Sequence, residues 1–227
     1  VETLEGQVSA YIPTNIISIT DGQIYLKRNL FLSGIRPAVD VGISVSRVGG
    51  DAQSPAMKKV AGRLRLDLAS FRELEDFARL GTELDKSSKQ RLQRGYQMVE
   101  ILKQNQYCPM TMPEQVVSIF AGYSGILDDI EKEQVSHFIS ELISWINLEA
   151  KEYMTEIEKT GELTDQMQED LKDIMGLLKN RLIPLSKALV FLIILFNLLI
   201  SKVMSNEWLA GADIMTNLNT LWILIRN

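Results

Sequence analysis

The chain has 227 residues, 46% of them hydrophobic and 23% charged, with a formal net charge of −5. This suits a globular protein of one or two domains, and the acidic balance excludes the basic footprint of a nucleic-acid binder. One cysteine, Cys108, and one histidine, His137, exclude an internal disulfide and a Cys/His zinc site, and point to a reducing compartment.

The acidic opening Val1–Glu5 is no signal peptide. Without an initiator Met, it is expected to be a truncated or processed start. Residues 1–50 are rich in Ile, Val, Ser, Thr and Gly and are punctuated by Asp21, Gly22 and Gly34. They predict short strands and loops. Within them Ser44, Val45, Ser46 and Arg47 stand between an apolar run and the pair Gly49 and Gly50. A buried segment does not need a charged ending, whereas a group that reaches another molecule's charge does. Spacing alone equally fits a surface arginine on a turn.

Helices are predicted over about Pro55–Arg79 and Asp85–Gln104. Thr111 and Glu114 have the spacing of a capping box, with Pro113 in the first turn, where no amide donor is needed. Val116, Val117 and Phe120 supply the apolar face behind it. Val135, Phe138, Leu142 and Ile146 mark one face of the next helix, and Met167, Leu171, Ile174 and Leu178 one face of the last. Lys159, Thr160, Gly161 and Glu162 form a stop and restart between them. Short connections predict antiparallel neighbours. In the tail, Ala188–Phe196 is unbroken apolar sequence, interrupted by Asn197. It falls short of the roughly 20 residues of a membrane span, and extending it takes in Pro184, Lys187 and Lys202.

Chemistry is scarce by spacing alone. No GxxxxGK[ST] loop occurs, so the chain has no P-loop of its own. A single histidine supports no Ser-His-Asp set, and His137, beside an apolar helical face, is expected to be structural. Asp128, Asp129, Glu131 and Glu133 are expected to form a solvated face.

Longer motifs say more. The stretch YIPTNIISITDGQ over Tyr11–Gln23, Gly34–Pro37, and PAVDVGISVS over Pro37–Ser46 resemble the alpha-subunit family of the rotary F-type proton-translocating ATP synthase. Arg47–Gly49, Ala52 and Gln53, Ala56–Lys58 and Leu102–Tyr107 extend the likeness, which runs from Val1 to about Leu178. It implies an α/β segment over 1–50, the end of a RecA-like nucleotide-binding domain. An all-α helical bundle domain would follow over 51–180, and 181–227 is an unmatched hydrophobic tail.

The resemblance also implies a function. The chain would belong to a non-catalytic, regulatory subunit whose Arg47 is an arginine finger toward the catalytic site of a neighbouring beta subunit. Ser18 would lie near that site and Ser44 would be needed for activity. Phe31, Arg36, Pro37, Gln104 and Gln106 would bind the base and ribose of a non-hydrolysed nucleotide. The implied cofactors are ATP and ADP, with Mg2+ in the parent complex held by ligands outside this chain. The implied partners are beta subunits in an alternating ring, the gamma central stalk and a delta-type peripheral-stalk subunit, with no nucleic acid. The place implied is a peripheral complex on the cytoplasmic face of an energy-coupling membrane, or on the matrix or stromal side in an organelle. Without a P-loop the chain alone is expected to be inactive. Two departures stand out: Lys27, Arg28 and Asn29 replace residues that are usually acidic, and Glu83 precedes Leu84 and Asp85 where the family has Asp. A non-functional fragment, or a chimeric membrane-anchored interaction protein, stays open as an alternative, and the nucleotide sequence around residue 178 discriminates them.

Overall fold

The computed structural model describes residues 1–81 and 83–182. Residues 183–227, and with them the apolar run of the tail, lie outside the described residues.

Tyr11–Ile19 forms a helix, α1, where short strands were expected. Pro13 fits its first turn, where the missing amide costs nothing. Ile12, Ile16 and Ile19 follow the helical period on an exposed side. Among the described residues, strand structure is confined to β1 (Gly22–Gln23), antiparallel to β2 (Val45–Ser46), and to a single bridge between Leu26 and Val39. A short helix, α2 (Arg28–Leu32), lies between the strands. The segment expected to be α/β is therefore mainly helix and turn, because a ladder this short holds no independent sheet. Gly22 makes the pairing possible. Its φ is 145°, and a Cβ there would sit 2.2 Å from the Val45 carbonyl oxygen.

The helix expected over Pro55–Arg79 is two helices, α3 (Pro55–Ala61) and α4 (Leu64–Arg79). The break falls at Gly62, a poor helix former, where a Cβ would press on the Lys58 carbonyl at 2.8 Å. Asp85 caps α5 (Lys86–Ile101) by accepting the Ser87 amide at 3.1 Å, and the helix ends short of Gln104. The predicted capping box opens α6 (Met112–Tyr123), with the Thr111 amide donating to Glu114 Oε2 at 2.7 Å. Then come α7 (Lys132–Glu149) and α8 (Lys151–Thr160), parted at Ala150, a break with no Gly or Pro to announce it. Gly161, at φ 68°, ends α8 as expected, and a last helix, α9, runs over 165–182.

Helix α6 is buried on all sides, through Val116, Val117, Ile119, Phe120 and Ala121, and α3, α5, α7 and α8 pack around it. A helix apolar around its circumference is the one that a bundle encloses. Each such large side chain contributes about 2 kcal/mol by leaving water. The predicted α7 face is buried in full, and on α9 Met167, Leu171 and Leu178 are buried, with Met175 in place of the half-buried Ile174. The start of α3 is tied to the α8–α9 turn. The Ala56 amide donates to the Gly161 carbonyl at 2.8 Å, and Lys59 reaches the Leu163 carbonyl at 3.1 Å and Asp165 at 2.7 Å.

His137 is exposed on α7 rather than packed into the bundle. Among the described residues, no helix is long and apolar enough to cross a membrane.

Candidate functional site

The loop that presents Arg47 is built by local hydrogen bonds. From β2 the chain turns outward, and the Arg47 amide donates to the Asp21 carbonyl at 2.8 Å. Arg47 Nη2 donates to the Ser18 carbonyl at the end of α1, 3.2 Å away. Arg47 itself is exposed and makes no ion pair among the described residues. Ser18 thus meets Arg47 through its backbone, while its hydroxyl donates to Asn15 O at 2.7 Å. Ser44 points to the scaffold, its Oγ accepting the Tyr25 amide at 2.9 Å. Ser46 accepts the Gly49 amide at 3.0 Å and starts the turn that follows.

A second cluster gathers residues far apart in sequence. The Arg36 guanidinium lies 4.5 Å over the Phe31 ring centroid. The Gln104 amide donates to the Arg36 carbonyl at 2.8 Å, and its side chain donates to Cys108 O at 2.8 Å. Phe31, Arg36, Pro37 and Gln104 therefore share one exposed surface. Gln106 lies in the same loop, exposed, with no hydrogen bond to the others among the described residues. An aromatic ring beside a guanidinium and an amide suits the stacking and hydrogen bonding of a nucleobase.

Sequence reasoning passed over Asp40. It is 3% exposed and lies between the two clusters in the sequence. Its carboxylate accepts Gly42 N at 2.8 Å and Arg72 Nη1 at 3.0 Å, and pairs with Lys27. Burial alone would raise its pKa. The bonds from Lys27, Arg72 and the Gly42 amide more than reverse that and hold it well below the usual carboxylate range. The one available signal was Lys27 itself, a cation where acid was expected.

The acidic stretch is not simply a solvated face. Asp128 takes a two-pronged grip from Arg94, Nε at 2.8 Å and Nη2 at 2.6 Å, and Asp129 meets Lys179 at 2.9 Å. The Arg94 hydrogen bonds lower the Asp128 pKa against the opposing effect of burial. A folded value below the ordinary 3.8 means that the stabilisation is present above that pH and lost as pH falls through the folded value. Asp128→Asn is expected to cost on the order of 1 kcal/mol near neutrality, after screening of a half-exposed pair. Denaturation midpoints of parent and variant should converge in acid, and a gap that widens there would contradict the assignment. A separate cavity of about 450 Å³ lies between α4, α5 and α6 over Phe71 and Met98, and shares no residue with either cluster.

A helical bundle thus carries a segment that presents an exposed arginine and an aromatic–guanidinium surface. The family model for the nucleotide-binding domain of the ATP synthase alpha/beta family matches residues 1–46. The model for the C-terminal domain of the ATP synthase alpha/beta chain matches residues 53–177. The protein belongs to the ATP synthase alpha/beta family. A protein named ATP synthase subunit alpha from Acidothermus cellulolyticus is 56% identical over 172 residues, covering 76% of this chain and 31% of its own length. Proteins of the same name from Streptomyces griseus and Aquifex aeolicus are 52% and 50% identical over 181 and 184 residues. They cover 80% and 81% of this chain, and 35% and 37% of their own lengths. The sequence therefore spans about a third of the length of these relatives.

Proposed function

We propose that this chain forms the C-terminal part of a non-catalytic alpha subunit in a rotary, proton-translocating ATP synthase. Residues 1–50 close a RecA-like nucleotide-binding domain, and residues 51–180 form the helical domain behind it. Arg47 reaches across to the nucleotide phosphate of a neighbouring beta subunit. The observation that carries this reading is the exposed guanidinium of Arg47, its backbone held by Asp21 and its Nη2 by one bond to Ser18, and without an ion pair among the described residues. A planar, permanent cation held this way can stabilise charge spread over transferring phosphoryl oxygens. Ser18 and Ser44 shape its root. The test is to remove the guanidinium in an assembled complex and measure turnover and nucleotide binding separately.

Phe31, Arg36, Pro37, Gln104 and Gln106 hold the base and ribose of ATP or ADP at a site that is not hydrolysed. Mg2+ belongs to the parent complex, and no role is assigned to it among these residues. The gamma stalk and a delta-type subunit are the further partners, in a peripheral membrane complex. Gln104→Ala with Gln106→Ala is expected to lower the nucleotide retained at the alpha site after gel filtration several-fold, while turnover continues. Unchanged occupancy removes the pocket from the proposal.

A further inference from the structure

We propose that Asp40 is a positioning residue for Arg47, the joint through which helix α4 of the bundle sets where the guanidinium stands. This rests on the reading of Arg47 above. The Asp40 carboxylate gathers four donors. Gly42 N at 2.8 Å and Ile43 N at 3.3 Å fold the following turn around Oδ1. Arg72 Nη1 reaches the same oxygen at 3.0 Å from α4, and Lys27 takes Oδ2. The backbone is fixed as well, with Asp40 N donating to Tyr25 O at 2.8 Å and Ser44 N to Asp40 O at 3.0 Å.

Helix α4 grips this turn twice. Arg65 Nη2 donates to the Gly42 carbonyl at 2.9 Å, and Arg72, two helical turns on and on the same face, holds Asp40. From Ser44 the backbone enters β2, whose pairing with β1 leads directly to Arg47 and its bond to Asp21. A shift of α4 is thus carried through the Asp40 turn into the strand that ends at Arg47. The Lys27–Asp40 pair adds a cation where the resemblance leads one to expect acid.

The geometry separates the roles of shape and charge. In Asp40→Asn the side-chain oxygen still accepts from Gly42, Ile43 and Arg72, and the charge that pairs with Lys27 and Arg72 is lost. In Asp40→Ala the turn loses its centre and Arg72 its anchor. Displacement of a reacting group by about 1 Å costs roughly a hundredfold in rate.

The test uses the assembled complex, with turnover and nucleotide affinity measured per assembled particle. Asp40→Ala is expected to lower kcat roughly a hundredfold with nucleotide affinity little changed, while Asp40→Asn stays within about tenfold of the parent. Adding Arg47→Ala to Asp40→Ala should take turnover no lower than Arg47→Ala alone, because a positioning residue has nothing left to position. If Asp40→Ala does not assemble, Arg72→Met removes the α4 hold on Asp40 while Arg65 and the turn's own caps remain, and a kcat loss of about tenfold is expected. The proposal is overturned if the variant that assembles keeps parental kcat, or if its loss multiplies with that of Arg47→Ala. A parental rate for Arg47→Ala itself overturns instead the reading on which it rests.

Discussion

Turnover of an assembled complex carrying Arg47→Ala is expected to fall roughly a thousandfold or more, the scale at which an arginine finger acts. Nucleotide affinity at the neighbouring site should change little, since the contact matters where charge develops, so kcat and kcat/KM fall together. The expectation follows from how the side chain is held. Its backbone amide is tied to Asp21 O, a single Nη2 bond rests on Ser18 O, and the rest of the guanidinium is exposed without a carboxylate among the described residues to neutralise it. Arg47→Lys should not restore the rate, because an ammonium has no planar fork with which to hold Ser18 O and a phosphoryl oxygen together. Turnover within tenfold of the parent for either variant would show that the arginine does not act on the reacting phosphate.

What could be read before the structure was local. Thr111 and Glu114 lie three residues apart, and the box they close needs nothing from elsewhere. The apolar faces of α7 and α9 repeat at the helical period and are buried, except that Met175 takes the place of the half-buried Ile174. Helix α1 was misread because its isoleucines and Thr14 favour strands, although Ile12, Ile16 and Ile19 keep a helical spacing. Val116, Val117 and Phe120 were read as one apolar face, whereas the whole run Val116–Ala121 is buried, the sign of an enclosed helix. Asp40 left one trace in the sequence, the cation at Lys27. Its partners, Lys27 and Arg72, lie on a loop and on α4, and only the fold brings them to one carboxylate. Gln104 and Arg36 were brought together only by the resemblance, since the bond between them crosses from the bundle to the N-terminal segment.

Gly95→Ala is expected to be among the most damaging single-methyl changes in the bundle. Helices α4 and α5 meet where Gly95 faces Phe71, a buried ring that also packs edge-on against Tyr96 with centroids 5.0 Å apart. A Cβ on residue 95 would lie 2.0 Å from Phe71 Cδ2, 2.4 Å from Cγ and 2.8 Å from Cβ. The first two contacts could be relieved by swinging the ring. The third cannot, because the Phe71 Cβ is fixed to the backbone of α4, so the two helices must part. Overpacking of this kind costs about 3 kcal/mol, against which the better helix propensity of alanine returns about 1 kcal/mol. The net loss should lower the melting temperature by about 5 °C or more for a protein of this size. Gly176→Ala on α9 is the matched control. Among the described residues nothing lies within 4 Å of its Cβ position, so the propensity gain applies and the melt should rise slightly. Phe71→Ala removes the obstacle at its own cost, so combining it with Gly95→Ala should destabilise less than the sum of the two single changes. A Gly95→Ala protein that melts at or above the parent would mean that α4 and α5 do not approach as closely as Gly95 and Phe71 require.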